Sequence, residues 1–140
     1  MTHAGRCLCR SVRYEFDGEP GWVGYCHCDS CRRTTSSPTT VFMEVSQARF
    51  RWKSDPPAIY ENTPGARRYF CKTCGSPMAF EADWYPGVIH LYPVSLEDPS
   101  MARPVEHVHA EERLPWFDVD DSLPRTAGFG GTGQKDQSPE

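Results

Sequence analysis

No apolar run in this 140-residue sequence approaches the roughly 20 residues needed to cross a bilayer, which excludes a transmembrane helix. The opening Met1-Thr2-His3-Ala4-Gly5 has no apolar segment of the kind that heads a secretory signal, so a reducing, cytoplasmic setting is expected. Cysteine is not even in number. There are seven, and with no sign of export a disulfide framework is the poorer reading of them. Cationic excess is also missing: 15 Lys and Arg stand against 19 Asp and Glu, for a formal charge of −4. That balance argues against a nucleic-acid footprint spread over the whole surface and leaves room only for a local basic patch. Long helices have little space, because 13 prolines and 11 glycines interrupt the chain every few residues.

What remains is a set of short strands in a chain long enough for one domain with a real core. Val12 to Phe16 alternates apolar and charged residues before an Asp17-Gly18-Glu19-Pro20 turn. Trp22 to Tyr25 reads as a strand, and Thr40 to Val45 is a nearly continuous apolar run that reads as a buried one. Arg49 to Lys53 alternates, Asp55-Pro56-Pro57 breaks the pattern, and Ala58 to Glu61 resumes it before a Pro64-Gly65 turn, which predicts a meander. Arg67 to Phe70, Pro77 to Glu81 and Val88 to Tyr92 complete the list. The fold class predicted is mainly β, built of short antiparallel strands with little helix. Residues 1–125 are read as one zinc-binding β domain with two metal sites. Residues 126–140, rich in glycine and polar side chains, are read as a flexible tail that buries too little apolar surface to order itself. Within it Gly128-Phe129-Gly130-Gly131-Thr132-Gly133 lacks the preceding strand and following helix of a nucleotide loop.

The cysteines divide by spacing. Cys7 and Cys9 form a C-x-C pair, and Cys71 and Cys74 form a C-x-x-C knuckle followed by Gly75, whose freedom of φ lets amides turn toward sulfur. Two pairs make one closed tetrahedral zinc site. Cys26, Cys28 and Cys31 supply only three ligands for a second. In an extended segment Cys26 and Cys28 point to one side and His27 to the other, with Cys31 returning across a two-residue turn. Four plus three predicts two zinc ions per chain, one structural and one with an open position for water or substrate. The four-cysteine site would also staple distant parts of the chain.

Blander readings stand beside this one. His27, Asp29, His90, His107 or His109 can close the second site and make it structural too. His107 and His109 are equally suited to an edge strand or a pocket rim. Trp116 and Phe117 either line a pocket or sit in the core.

The pattern Gly5-x-Cys7-x-Cys9 with Val12-x-Tyr14, then Cys26-His27-Cys28-x-x-Cys31-Arg32-Arg33, then Phe70-Cys71-x-x-Cys74-Gly75-Ser76, then His107-x-His109 ahead of Pro115-Trp116, resembles the glutathione-dependent formaldehyde-activating enzyme family, which also includes centromere protein V. The resemblance runs from about Gly5 to about Leu123. It implies a zinc-stapled, tent-like β fold of the Mss4-like kind. It implies a structural zinc at Cys7, Cys9, Cys71 and Cys74, and a catalytic zinc at Cys26, Cys28 and Cys31. The implied activity joins glutathione to formaldehyde to give S-hydroxymethylglutathione, a carbon-sulfur lyase reaction in the reverse sense.

The residues make that chemistry reasonable, since a zinc with three thiolates and an open position can bind an incoming thiol and lower its pKa. Arg32 and Arg33 are the sequence candidates for balancing the negative charge or for pairing with a substrate carboxylate. Two other classes of function remain open. One is a non-catalytic zinc-binding interaction module presenting Arg49, Arg51, Lys53, Arg67 and Arg68; the other is a thiolate-zinc redox sensor. The partner expected is a small thiol such as glutathione, with neither membrane nor nucleic acid.

Overall fold

Alternation decides the first sheet. In the structure, a computed structural model that describes residues 1–130, strand β2 (Arg13–Asp17) buries Tyr14 and Phe16 on one face and turns Glu15 and Asp17 to the other. β1 (Thr2–Arg6) and β5 (Phe50–Trp52) pair antiparallel with its two edges. Cross-strand ion pairs hold the outer face, Arg51 reaching Asp17 at 2.9 Å and Glu15 at 3.0 Å. Strand β1 is hidden in the sequence by Ala4 and Gly5, which do not favour extended structure on their own. Gly5 is there for space: a Cβ on it would lie 2.2 Å from the Tyr14 ring, whose hydroxyl is tied to Ser95 Oγ at 2.8 Å.

The second sheet has seven strands. These are β3 (Val23–Cys26), β4 (Thr40–Ser46), β6 (Ala58–Thr63), β7 (Ala66–Phe70), β8 (Pro77–Ala82), β9 (Val88–Leu91) and β10 (His107–Val108), in the spatial order β10-β3-β4-β9-β8-β7-β6. All neighbours are antiparallel except β10, which runs parallel to β3. A parallel partner needs a long crossover, and most of the domain lies between those two strands. The meander expected across Arg49 to Glu61 does not form. β5 joins the small sheet and β6 the large one, because Pro56 and Pro57 cannot donate to a shared ladder.

β4 is buried on both faces, as its continuous apolar run suggested. Met43 and Val45 face the small sheet, in a core with Tyr14, Phe16, Ile89 and Leu91. Phe42 faces the other way, into a second cluster with Phe80, Tyr85, Tyr92 and the three cysteines. Each such side chain contributes about 1.5–3 kcal/mol when fully buried. The large sheet therefore separates two cores, one reaching Cys7 and Cys71 and the other holding Cys26, Cys28 and Cys31.

Where the sequence suggested a two-residue turn after Cys28, the chain makes a helix, α1 (Asp29–Thr35). Cys28 is its N-cap, its sulfur accepting the Cys31 N–H at 3.3 Å. Asp29 in the first turn and Arg32 and Arg33 in the last suit the helix dipole, and Ser36 ends the helix at φ 51°. At the other end, residues 126–130 pack although they were expected to begin the flexible tail. The Thr126 N–H donates to the His107 carbonyl and the His109 N–H to the Gly128 carbonyl, both at 2.8 Å. The free edge of β10 supplies the order that the tail's own composition does not. Residues 131–140 of the expected tail lie outside the described ones. No described helix is long and apolar enough to cross a membrane.

Candidate metal centres and the pocket at the second

The first cysteine group is assembled by two turns. Cys7 and Cys9 leave β1, and Cys71 and Cys74 sit at the tip of the β7–β8 hairpin, with Gly75 at φ +79°. Sulfur separations of 3.6 Å for Cys7–Cys9 and 3.8 Å for Cys9–Cys71 are far too long for a disulfide. They match the about 3.8 Å between ligands of a tetrahedral ion with 2.3 Å bonds to sulfur. Donors surround the sulfurs: the Val12 N–H reaches Cys7 at 3.3 Å, the Cys74 N–H reaches Cys71 at 3.4 Å, and the Ser11 and Ser76 hydroxyls lie 2.9 Å from Cys9 and 3.1 Å from Cys74. The Ser11 hydroxyl and the Cys74 amide draw the Cys71 thiol down to about 7, and the Ser76 hydroxyl with neighbouring amides draws Cys74 down to about 5. These four residues can hold a metal with no further ligand.

The second group lies where β3 ends and α1 begins. Cys26 and Cys31 are 3.7 Å apart, again a metal-ligand spacing, and all three cysteines are buried. Among the described residues no fourth Cys, His, Asp or Glu atom joins them within 4.8 Å. Each candidate for closing the site makes a contact elsewhere, although Nδ1 of His27 and Nδ1 of His90 are left without a partner. His27 Nε2 meets His107 Nδ1 at 2.8 Å, and Asp29 pairs with Arg33 at 3.0 Å. His90 sits 3.3 Å from Glu44, His107 3.1 Å from Asp121, and His109 3.3 Å from Glu112. The electrostatics differ from those of the first group. The neighbouring Cys28 and Cys31 thiols, then burial, push Cys26 well above the ordinary thiol range. The Cys26 thiol draws Cys28 down, but Cys31 and burial outweigh it and leave Cys28 pushed up to about 11. Three thiolates here need a cation.

The histidines behind the group form a chain. Asp121 accepts from His107 Nε2; in the neutral ring His107 Nδ1 is then an acceptor, and His27 Nε2 is the donor to it. That leaves the buried His27 Nδ1 as a bare acceptor with no partner. Burial, with His107 alongside, pushes His27 down to about 4, which keeps it neutral. Asp121 is held in turn by Arg125, and Tyr25 stacks on His107 at 4.5 Å. His27 and His107 thus brace the cysteine loop from its far side.

A cavity of about 50 Å³ opens onto Cys26, Cys28 and Cys31, walled by aromatic rings and reached by Arg68, His90 and His109. Arg32 and Arg33 do not line it. Arg32 donates to the His27 carbonyl at 3.1 Å, and Arg33, 80% exposed along its side chain, pairs with Asp29. Arg68 is the cation in the cavity: only 6% exposed, it lies 3.8 Å from Cys31 Sγ with its guanidinium 4.9 Å from the Phe80 ring centre. By sequence alone Arg68 belongs to a surface row with Arg49, Arg51, Lys53 and Arg67. Strand parity separates it from Arg67, since Ala66 and Arg68 share the inner face of β7 and Arg67 points out to Asp83 and Glu81. The rest of that row is paired within the chain too, Arg51 with Glu15 and Asp17, Lys53 near Glu15, and Arg49 on the Asp17 and Glu19 carbonyls. Trp116, 73% exposed, belongs to neither core nor cavity. A larger cavity of about 540 Å³ lies elsewhere, between Arg6, Thr35, Met78 and Glu97.

Comparison with known proteins gives matches of three kinds. A family model described as glutathione-dependent formaldehyde-activating enzyme matches residues 2–112. A Schizosaccharomyces pombe protein named as an uncharacterized lyase is 31% identical over 78 residues, 56% of this chain and 56% of that one. The chain thus spans about half the length of that curated relative. A crystal structure of a Rhodobacter sphaeroides protein superposes at a TM-score of 0.54 over 88% of this chain and 99% of its own, at 17% identity, and shares the fold.

Proposed function

The chain belongs to the glutathione-dependent formaldehyde-activating enzyme family, and from that premise we propose that it joins a small thiol of the glutathione type to an aldehyde carbon at Cys26, Cys28 and Cys31. The observation that carries the reading is a buried group of three thiols at metal-ligand spacing, with no fourth Cys, His, Asp or Glu atom within 4.8 Å among the described residues and a cavity opening onto it. A zinc ion held there supplies a centre at which an incoming thiol loses its proton near neutral pH. The reaction forms one carbon-sulfur bond and breaks the carbonyl π bond, and the proton lost by the thiol ends on the former carbonyl oxygen. The second zinc, at Cys7, Cys9, Cys71 and Cys74, is structural.

The protein's own contributions follow from the walls. With a divalent cation held there, the three cysteine thiolates and an incoming thiolate would sum to −2, and the Arg68 guanidinium beside Cys31 would bring the buried charge to −1. Phe42, Phe80 and Tyr85 keep water away from the sulfurs, which strengthens that interaction. The cavity, at about 50 Å³, is far smaller than the roughly 300–1,000 Å³ of sites that enclose a whole drug-sized ligand. It admits the reacting sulfur and a small aldehyde, and the body of a tripeptide-sized thiol stays outside.

Titration of the cobalt-substituted protein with glutathione tests the reading, followed by the thiolate-to-metal charge-transfer and ligand-field bands. A saturable change that vanishes in Cys28→Ser is expected. No change up to millimolar glutathione would overturn the proposal.

A further inference from the structure

We propose that Phe129 is a specificity-determining residue of the three-cysteine pocket, limiting it to a one-carbon aldehyde on a slender thiol arm. The assignment rests on the thiol-site reading above for its substrates, but not for its geometry. Phe129 lies beyond residues 2–112, the part that matches the family model. It lines the cavity onto which Cys26, Cys28 and Cys31 open, its ring edge-on to His109 at 4.6 Å and to Tyr85 at 5.4 Å. Without that ring, one wall of the cavity is gone.

The segment is fastened at many points, so the ring is a fixed wall. Arg125 bridges in parallel to His107, and the His107 N–H donates to the Pro124 carbonyl at 2.9 Å. The Thr126 hydroxyl donates to Glu106 at 2.7 Å, and the Gly128 N–H to Glu111 at 2.8 Å. Gly130 lies so close to Glu106 that a Cβ would fall 2.0 Å from its carboxylate oxygen, which holds the chain flat against the body just after Phe129. Glu106 also accepts the Trp22 N–H at 2.9 Å, and Trp22 is another wall of the same cavity. One carboxylate thus sets two of the aromatic walls.

The test compares wild type, Phe129→Ala and Phe129→Trp as zinc-loaded proteins. Alkylation of each cysteine by iodoacetamide and by fluorescein maleimide is mapped by mass spectrometry, with Cys9 and Cys74 as internal references. Phe129→Ala is expected to raise the bulky-probe rate at Cys26, Cys28 and Cys31 roughly tenfold while changing the iodoacetamide rate little, and Phe129→Trp to restore or exceed the wild-type exclusion. The ratio of the two rates being the same in all three proteins would overturn the assignment, whatever the activity. A second arm offers formaldehyde, acetaldehyde and benzaldehyde with glutathione. Widened aldehyde use in Phe129→Ala supports both readings. Turnover with an unchanged aldehyde range removes Phe129 and spares the functional reading. Altered alkylation with no turnover in any variant removes the functional reading and spares the wall.

Discussion

Replacing Arg68 by methionine isolates the buried charge beside the second centre. Methionine keeps much of the apolar stem and the contact with the Phe80 face, and removes the guanidinium. At the 3.8 Å separation from Cys31 Sγ, two unit charges interact by about 4 kcal/mol at an effective dielectric near 20. Part of that is returned, because a buried guanidinium no longer has to be kept from water. A net loss of about 2–3 kcal/mol is expected, or roughly 30- to 150-fold weaker metal binding at the second centre. Competition with a chromogenic chelator measures it, with Cys28→Ser marking complete loss of the site and the metal at Cys7, Cys9, Cys71 and Cys74 as an internal control. Arg68→Lys retains the charge without the planar fork and should recover most of the affinity. A change of less than threefold in Arg68→Met, or a lysine variant as weak as the methionine one, would refute the charge argument.

Three further outcomes are expected. Metal analysis should find two zinc ions per chain, with Cys71→Ser losing cooperative folding, because it opens the link between the β1–β2 turn and the β7–β8 hairpin, and Cys28→Ser staying folded with one zinc. Equal unfolding of both variants in circular dichroism would make the second centre structural. Gly5→Ala should cost about 1–3 kcal/mol in chemical denaturation, since its Cβ would meet the Tyr14 ring at 2.2 Å and that ring is tied to Ser95; a neutral result would mean that β1 is free to shift. Nitrogen NMR should show His107 with its proton on Nε2 at neutral pH and lose that signature in Asp121→Asn, and a proton on Nδ1 in the parent protein would reverse the direction of the His27–His107 bond.

The parts of this fold that were legible in the sequence are those decided by near neighbours. Alternation in Arg13 to Phe16 and the apolar run of Thr40 to Val45 announce β2 and β4, and chelate spacing announces both cysteine groups, because each signal is local. Pairing is not local. β5 and β6 read as consecutive strands but belong to different sheets, and β10 is a strand only because β3 offers it an edge. The same limit governs Arg68. Its neighbours Arg67 and Tyr69 look alike as surface residues, and only the burial of Ala66 on the same face of β7 tells which arginine turns inward. The folding of Arg32 and Arg33 away from the cavity depends on α1, which forms because Cys28 caps it, a role usually filled by Ser, Thr, Asp or Asn and easily passed over.

Seven cysteines of one chemical type thus end in two different settings, and the difference lies in what surrounds the sulfur. At the hairpin tip, the Ser11 and Ser76 hydroxyls with neighbouring amides stabilise thiolate at Cys71 and Cys74 before any metal arrives, and Cys7 and Cys9 complete a group of four ligands. At the start of α1 the sulfurs face aromatic rings and one another, with the Cys31 amide and the Arg68 guanidinium as their polar company. Negative charge gathered there sits buried among aromatic rings, so a ligand that leaves relieves the centre and one that enters must be matched by charge nearby. That imbalance suits a site that exchanges a thiol. Filling it with a fourth protein ligand, for example by placing histidine at Val108, should therefore tighten the metal and abolish the glutathione-dependent cobalt spectrum together, whereas tightening with the spectral change intact would place the thiol somewhere other than the metal.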